Sequence, residues 1–445
     1  MLAFVGLLAR AAAAEQIKQI VVEDNTKTTT ETVLLMTHVS VGDEWNLDLV
    51  EQIRQRLETS GLFREVEVFW DPVEGGVRLH LVVRDKFSRL VAPTFYDQPT
   101  NKGGGLGYGD NNLAGLNQKL LLYAQLATGD SFFLGVWQIP SIGGTHLYAQ
   151  IDTYLRDSRI IEYAEPTKYI DNPIAVRQSR LIYLNGGLRL GYEIARGIKL
   201  DTRLRGAWVG YEHVELADGA GINDVTPGGD PTAPLAKPGK EGWDVSNEWD
   251  FTLDRRIDFN GVQSGYRYML TYERALPALG SDFRYYSVGL YTLNAIKLLE
   301  RHDLVLRGSL NIGHNLPFQQ EFTTGGTAMR GWLNDQFRGD FKVAATAEYS
   351  FPLFGINMGE WLGTMSVRGL GFWDSAYTTF MSADNPDRNY LPNAMPRGLA
   401  PFKNSVGVGT RFYLSGLVLP LLGLDFGYGL EAGDFQIYLA IGLTT

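Results

Sequence analysis

One arginine stands among small residues in GGTAMRGW, Gly325 to Trp332, a glycine-rich stretch that follows a strand-like run. A guanidinium there has one strong chemistry open to it, since its two parallel N–H donors can grip a carboxylate. Bond-making chemistry has no comparable candidates. The chain holds no H-E-x-x-H, P-loop or G-x-S-x-G. It has no cysteine, and its six histidines (38, 80, 146, 213, 302 and 314) lack a spacing that gathers a metal. GGGLGYGD, Gly103 to Asp110, contains G-x-G-x-G without a following helix, which favours a curved strand over a nucleotide loop. No enzyme, cofactor or metal is expected.

Composition narrows the classes further. Lys+Arg 40 against Asp+Glu 50 leaves a net charge of -10, which argues against nucleic acid as a partner, because phosphate binding needs a basic surface. Tyr 22, Phe 22 and Trp 9 accompany Gly 51 at a mean hydropathy of -0.12. That combination suits strands that are apolar on one face only. No apolar run of about 18 residues follows the first fifteen positions. LVLPLLGL, Leu417 to Leu424, is short and broken by Pro420. A helical membrane span is thus not expected, whereas a membrane β-barrel remains open. Residues 1–14 read as an export signal, with an apolar stretch from Leu2 to Ala9 and Ala12-Ala13-Ala14 before Glu15.

Two regions of different period must position this arginine. Residues 17–85 read as a small α/β unit with a strand at Lys18 to Glu23 and a helix near Thr30 to His38. A second helix follows Asn46 as cap, carries Leu49, Val50, Ile53 and Leu57 at helical spacing, and ends at Gly61. The alternating runs Val66 to Trp70 and Val77 to Val83 flank the turn DPVEGG. The order is β-α-α-β-β.

Beyond Lys86 the helical period gives way to alternating segments separated by Gly, Asn, Asp and Pro clusters. In Val262 to Arg274, Val262, Tyr266, Tyr268, Leu270 and Tyr272 share one face and Gln263, Arg267, Thr271 and Glu273 the other. At about 22 residues per strand and connection, residues 86–445 make roughly 16 strands of a transmembrane antiparallel β-barrel. Polar insertions at 157–178, 214–241 and 379–400 fit long outer loops. On this count GGTAMRGW lies between strands eleven and twelve, in an outward loop at about 315–338, where an arginine would ordinarily be a solvated charge. By alternation Asp374 shares parity with Thr364, Ser366 and Arg368, and both it and Glu348 point into the lumen.

The unit at 17–85, with TSGLFREVEV (Thr59 to Val68), resembles a POTRA domain. The remainder resembles the outer-membrane protein assembly and two-partner secretion superfamily, which includes BamA-type insertases. Arg330, Gly331 and Trp332 match the Arg-Gly-aromatic motif of its sixth loop. AEYSFPLF matches the strand-twelve element, and GFWDSA matches F-x-D-x-G of strand thirteen with Ala376 in place of glycine. GYGDNNLAGLNQKLLL (Gly107 to Leu122) is similar to an early-strand pattern of the family, with Asn117 where a second glycine is usual. The resemblance implies that loop six folds back into the lumen, where Arg330 meets Asp374, with Glu348 as a further member. It also implies a seam between strand one, about Lys86 to Asp97, and strand sixteen, where Phe435, Ile437, Leu439 and Ile441 share a face.

The expected location is the bacterial outer membrane with the POTRA unit in the periplasm. The expected partners are unfolded or nascent outer-membrane or secreted client proteins, outer-membrane lipids, and accessory periplasmic or lipoprotein subunits. Three roles follow: assembly and insertion of client barrels, a dedicated two-partner-type secretion pore for one passenger, or a non-enzymatic structural or channel subunit.

Overall fold

In a computed structural model the described residues are 15–98, 101–164, 173–226, 228, 230, 232–259, 262–357, 364–382, 384–392, 402–414 and 422–441. The proposed export signal at 1–14 and most of LVLPLLGL lie outside them.

The N-terminal unit has the order β1 (Gln16–Glu23), α1 (Thr30–Thr37), α2 (Leu47–Thr59), β2 (Phe63–Val73) and β3 (Gly76–Asp85). Its sheet runs β1-β3-β2, with β1 parallel and β2 antiparallel to β3. Asn46 caps α2 by accepting from the Leu49 amide at 2.7 Å. Gly61, at φ +74, takes the left-handed turn after the helix that a side chain would resist. Ile53 and Leu57, one turn apart on α2, are fully buried with Ile17, Val33, Leu79 and Leu81, which supplies the driving force for the unit.

Asp85 ends β3 and ties down the chain entering α1. It accepts from the backbone amides of Lys27 at 2.7 Å and Thr26 at 2.8 Å, and from the Thr28 hydroxyl. Burial alone would raise its pKa, yet the hydrogen bonds from Thr28, Lys27 and Thr26 outweigh it and hold the carboxyl below its ordinary value. A depressed folded-state pKa gives stability that is present above the unfolded value of about 3.9 and is lost as pH falls through the folded value. Asp85→Asn is therefore expected to lower the melting temperature of this unit in calorimetry of the whole protein at pH 7. The gap from wild type should narrow as pH falls below about 3.9, and a gap that does not narrow on acidification would contradict this assignment.

The second part is a closed antiparallel barrel. Its strands are β4 (Arg89–Gln98), β5 (Asn101–Leu113), β6 (Gln118–Ala127), β7 (Asp130–Ile139), β8 (Leu147–Ala164), β9 (Ile174–Ala195), β10 (Ile198–Leu216), β11 (Gly242–Asp254), β12 (Ile257–Phe259), β13 (Val262–Ala275), β14 (Tyr286–Leu299), β15 (His302–His314), β18 (Phe341–Asn357), β19 (Thr364–Thr379), β20 (Lys403–Leu414), β21 (Leu422–Gly429) and β22 (Asp434–Ile441). Because β11 and β12 both pair with β13, they form one interrupted strand, and the barrel has sixteen. A short helix α3 (Ile222–Val225) lies in the loop after β10, and the short pair β16 (Phe322–Thr324) and β17 (Phe337–Gly339) lies between β15 and β18.

Each strand neighbours the next in sequence, and β22 returns to β4. Among the described residues that closure consists of Leu439 with Asp97, Ala440 with Tyr96 and Ile441 with Phe95. Alternation is as the sequence indicates. Tyr266, Tyr268, Leu270 and Tyr272 stand exposed on the outside of β13, as do Phe435 and Ile437 on β22. Such exposed apolar rows are stable facing hydrocarbon, not water. Trp208 and Trp243 meet edge-on at 5.6 Å on this outer surface, in the manner of an interfacial aromatic girdle.

One insertion differs from the expectation. All the described residues of 157–178 except Pro173 are strand: β8 continues to Ala164 and β9 begins at Ile174, with Asp157 paired to Ile182 and Glu162 to Arg177. Polar side chains at alternate positions do not end a ladder whose backbone groups still find partners.

Candidate functional site

Loop six, residues 315–340, is built on the hairpin β16–β17, which carries Gly325 to Gln336 between its strands. A 3-10 turn at Gly326–Ala328 and a bond from the Gly326 amide to the Trp332 carbonyl (3.1 Å) close the tip. Met329, Trp332 and Phe337 are buried together against Ala376 of β19. Ala376 is the residue that replaces the motif's glycine, and its methyl is part of this packing.

Arg330 is buried. Its Nε donates to Asp374 Oδ2 at 2.9 Å and its Nη2 to Asp374 Oδ1 at 3.0 Å, the two-pronged pairing expected of a guanidinium and a carboxylate. The Arg330 backbone amide also reaches Asp374, at 3.2 Å. Nη1 is shared by Glu348 at 3.2 Å and Asp425 at 3.3 Å. The guanidinium carbon sits 3.3 Å from the ring centre of Phe372, a cation–π contact. Arg411 grips Asp425 with two bonds, of 2.6 and 2.8 Å, and Arg307 stands 3.9 Å from Glu348. Arg330 and Arg411, with the half-exposed Arg307 at the edge of the cluster, thus offset three carboxylates that burial would otherwise leave uncompensated.

The neighbours of Arg330 extend the strap. Tyr438 of β22 accepts from the Gly331 amide and donates to the Trp332 carbonyl, each at 3.0 Å. The Trp332 indole donates to the Asn404 carbonyl of β20 at 3.3 Å. Gly331, at φ +93, lies directly on β21: a Cβ there would come within 2.6 Å of the Gly429 nitrogen. A Cβ on Gly427 would in turn meet the Gly331 nitrogen at 2.7 Å. The tip of loop six is therefore bonded to five consecutive strands through Glu348 (β18), Asp374 (β19), Asn404 (β20), Asp425 (β21) and Tyr438 (β22), while its first turn, Gln319 and Gln320, bonds Tyr211 of β10 and Asp244 of β11. Of these strands, β22 is the one that meets β4. On the side of β5, β7 and β8, a cavity of 260 Å³ separates Asn101, Asp130 and Arg156 from Thr327 and Asn334 of the loop.

The structure brings together Arg330, Gly331, Trp332, Asp374 and Glu348. Phe435, Ile437, Leu439 and Ile441 belong to β22 without touching the strap, since their parity faces away from the lumen, and the Ile441 side chain is outside the described set. Sequence reasoning missed Asp425, Arg411, Phe372 and Tyr438. Parity alone could have nominated Tyr438 and Asp425 as inward residues, but the depth at which the loop crosses β21 and β22 is not a local property. Also missed was a charge cluster nearer the outer rim. Arg388, in the loop after β19, bonds Glu321 at 2.6 Å, Glu162 of β8 at 3.0 Å and the Pro238 carbonyl at 2.7 Å, with Phe318 and Tyr390 against its guanidinium. Burial would lower the Arg388 pKa, but Glu321 and Glu162 keep it above its ordinary value, so it remains a cation. It joins the loops after β10, β15 and β19.

Tyr438→Phe removes one hydroxyl and leaves the buried Gly331 amide unpaired. The expected cost is about 1 to 3 kcal/mol. Limited proteolysis of the whole protein should cut loop six faster than in wild type, and an unchanged cleavage rate would mean that the hydroxyl does not hold the strap.

No curated protein matches the sequence. Solved structures with the same fold include BamA from Haemophilus ducreyi lacking POTRA domains 1–3, at TM-score 0.65 and 16% identity, over 97% of this chain and 85% of that one. CdiB from Acinetobacter baumannii is similar at TM-score 0.63 and 16% identity, over 97% and 74% of the two chains. CdiB from Escherichia coli follows at 0.61 and 15%, over 96% and 76%. The model of the Omp85 superfamily domain matches residues 112–444, which include the whole of loop six and every strand it binds, and the chain belongs to the Omp85 superfamily.

Proposed function

We propose that this protein assembles or translocates client proteins at the bacterial outer membrane, with residues 17–85 acting as a periplasmic POTRA module and loop six as a strap inside the barrel. The observation that carries the reading is the bonding of the strap to β18 through β22, up to the strand that meets β4 through three described residue pairs. Five strands on one side of the seam move as a panel, and the seam is where the barrel yields. A yielding seam exposes unpaired strand edges, which can template an incoming client hairpin by main-chain hydrogen bonding. The edge strands β1 and β2 of the N-terminal sheet offer the same capture beforehand. No bond of the client is made or broken, and Arg330 acts as a tie, not a catalyst.

A secretion pore for one unfolded passenger is the second reading. Among the described residues, lumenal cavities of 260 and 390 Å³ favour it, because a chain threading the lumen needs space beside the strap.

A disulfide across the seam separates the two. The chain has no cysteine, so Asp97→Cys with Leu439→Cys, a register pair, forms only the intended bond. Under the insertion reading, oxidation should stop client assembly and reduction should restore it. Secretion that continues in the locked protein decides for the pore. Quantitative proteomics of outer membrane and medium, with and without the protein, completes the test: a fall in many barrel proteins supports insertion, loss of one exported protein supports the pore, and no change in either refutes both.

A further inference from the structure

A row of lumen-facing positions runs across the barrel wall beside the strap. Arg267 on β13 pairs with Leu293 on β14, Leu293 with Arg307 on β15, and Arg307 with Thr346 on β18. Neighbouring strands lie about 4.8 Å apart, so the two arginine positions are about 10 Å apart with an apolar floor between them. Lys342 of β18 and Arg256, from the corner between β11 and β12, complete a cavity of 390 Å³ that also touches Ala328 of loop six. Four cations line this cavity, and no aspartate or glutamate is among its lining residues.

Their charge is only partly matched nearby. Asp254 bonds Arg256 at 2.7 Å and stands 3.8 Å from Arg267. Glu348 is 3.9 Å from Arg307 but 3.2 Å from Arg330. The Lys342 ammonium donates to a carbonyl, that of Thr323, at 2.7 Å. Arg267 and Arg307 keep 40% and 42% of their side chains exposed in the lumen. Half-solvated guanidinium groups around an open hollow raise the local concentration of anions and present forked donors to carboxylate or phosphate oxygens.

We propose that this cavity is a binding site for anionic groups, and that its occupant is an acidic segment of a client polypeptide. The polypeptide as the source rests on the translocation reading above, whereas anion binding does not. Leu293, Met269 and Ala344 supply the apolar floor that the aliphatic stems of such side chains can cover.

The test is fluorescence anisotropy of the full-length protein in detergent with a fluorescein-labelled hepta-glutamate peptide. Wild type should bind it, with affinity falling as salt rises. Arg267→Gln combined with Arg307→Gln should weaken binding about tenfold or more, in protein whose folded barrel is verified by its heat-dependent gel mobility. Hepta-lysine should not bind. Equal affinity of wild type and double variant, or equal binding of hepta-lysine, overturns the proposal. Displacement of the peptide by an equal concentration of inorganic phosphate assigns the cavity to a free anion and overturns the polypeptide occupant. Binding is read without any transport step, so a failure of the translocation reading would appear in the proteomic comparison and not here.

Discussion

Arg330→Ala is expected to free loop six from the barrel wall and to abolish client handling while leaving the N-terminal unit folded. The physical reason is the number of groups left without a partner. Asp374 loses both of its guanidinium bonds, and Glu348 and Asp425 each lose one. Removing one side of a buried ion pair costs about 3 to 5 kcal/mol, because the surviving charge stays desolvated. Arg411 and Arg307 remain, so Asp425 and Glu348 keep part of their compensation and Asp374 carries most of the loss. Arg330→Lys should recover little, since an ammonium cannot reproduce the fork. The readouts are protease cleavage within Gly325–Gln336, ion conductance in a planar bilayer, and the mid-point of barrel unfolding. Cleavage should become rapid and conductance should rise; a loop as resistant as wild type would rule out the tie.

Gly427→Ala should have nearly as large an effect, although it lies 97 positions away from Arg330 in sequence (427 less 330) and adds a single methyl. Its Cβ would meet the Gly331 nitrogen at 2.7 Å and the Arg330 carbonyl carbon at 2.8 Å. Both are backbone atoms that cannot rotate aside, so the strap must lift. Overpacking of this kind costs about 1 to 3 kcal/mol by itself, and lifting Arg330 adds part of the ion-pair loss. Gly331→Ala should behave alike, with the further strain of φ +93. Gly423→Ala is the control. It occupies the same lumenal parity of β21, but the three atoms nearest its Cβ would all belong to the flexible Arg411 side chain, at 3.3 to 3.5 Å, and none to backbone. If Gly427→Ala and Gly423→Ala are equally mild in proteolysis and conductance, the close approach of strap and wall is not needed in the working protein.

Much of this architecture was open to inference from particular residues. Asn46 and Gly61 bracket α2 because capping and left-handed turns are local demands. The alternation of Tyr266, Arg267 and Tyr268 sets inside from outside because a strand has a period of two and the lumen is polar. Asp374 and Glu348 were assigned to the lumen on the same ground. The segment 157–178 was harder to read, because polar residues in a continuing ladder look like a loop when only composition is considered.

Sequence periodicity carried the repeat of about sixteen alternating strands, the β-α-α-β-β unit before them, and the lumenal side of Asp374, Glu348 and Arg267. These follow from periodicity and short-range stereochemistry, which any stretch of about ten residues expresses without its neighbours. Folding in three dimensions was needed to show that Arg330 also meets Asp425, that Tyr438 ties the strap to the closing strand, that glycines at 331 and 427 let two backbones touch, and that Arg267 and Arg307 share a cavity. Those pairings depend on strand register and on how deeply a loop returns into the barrel. Both are set by the closure of the whole ladder, which no local pattern encodes.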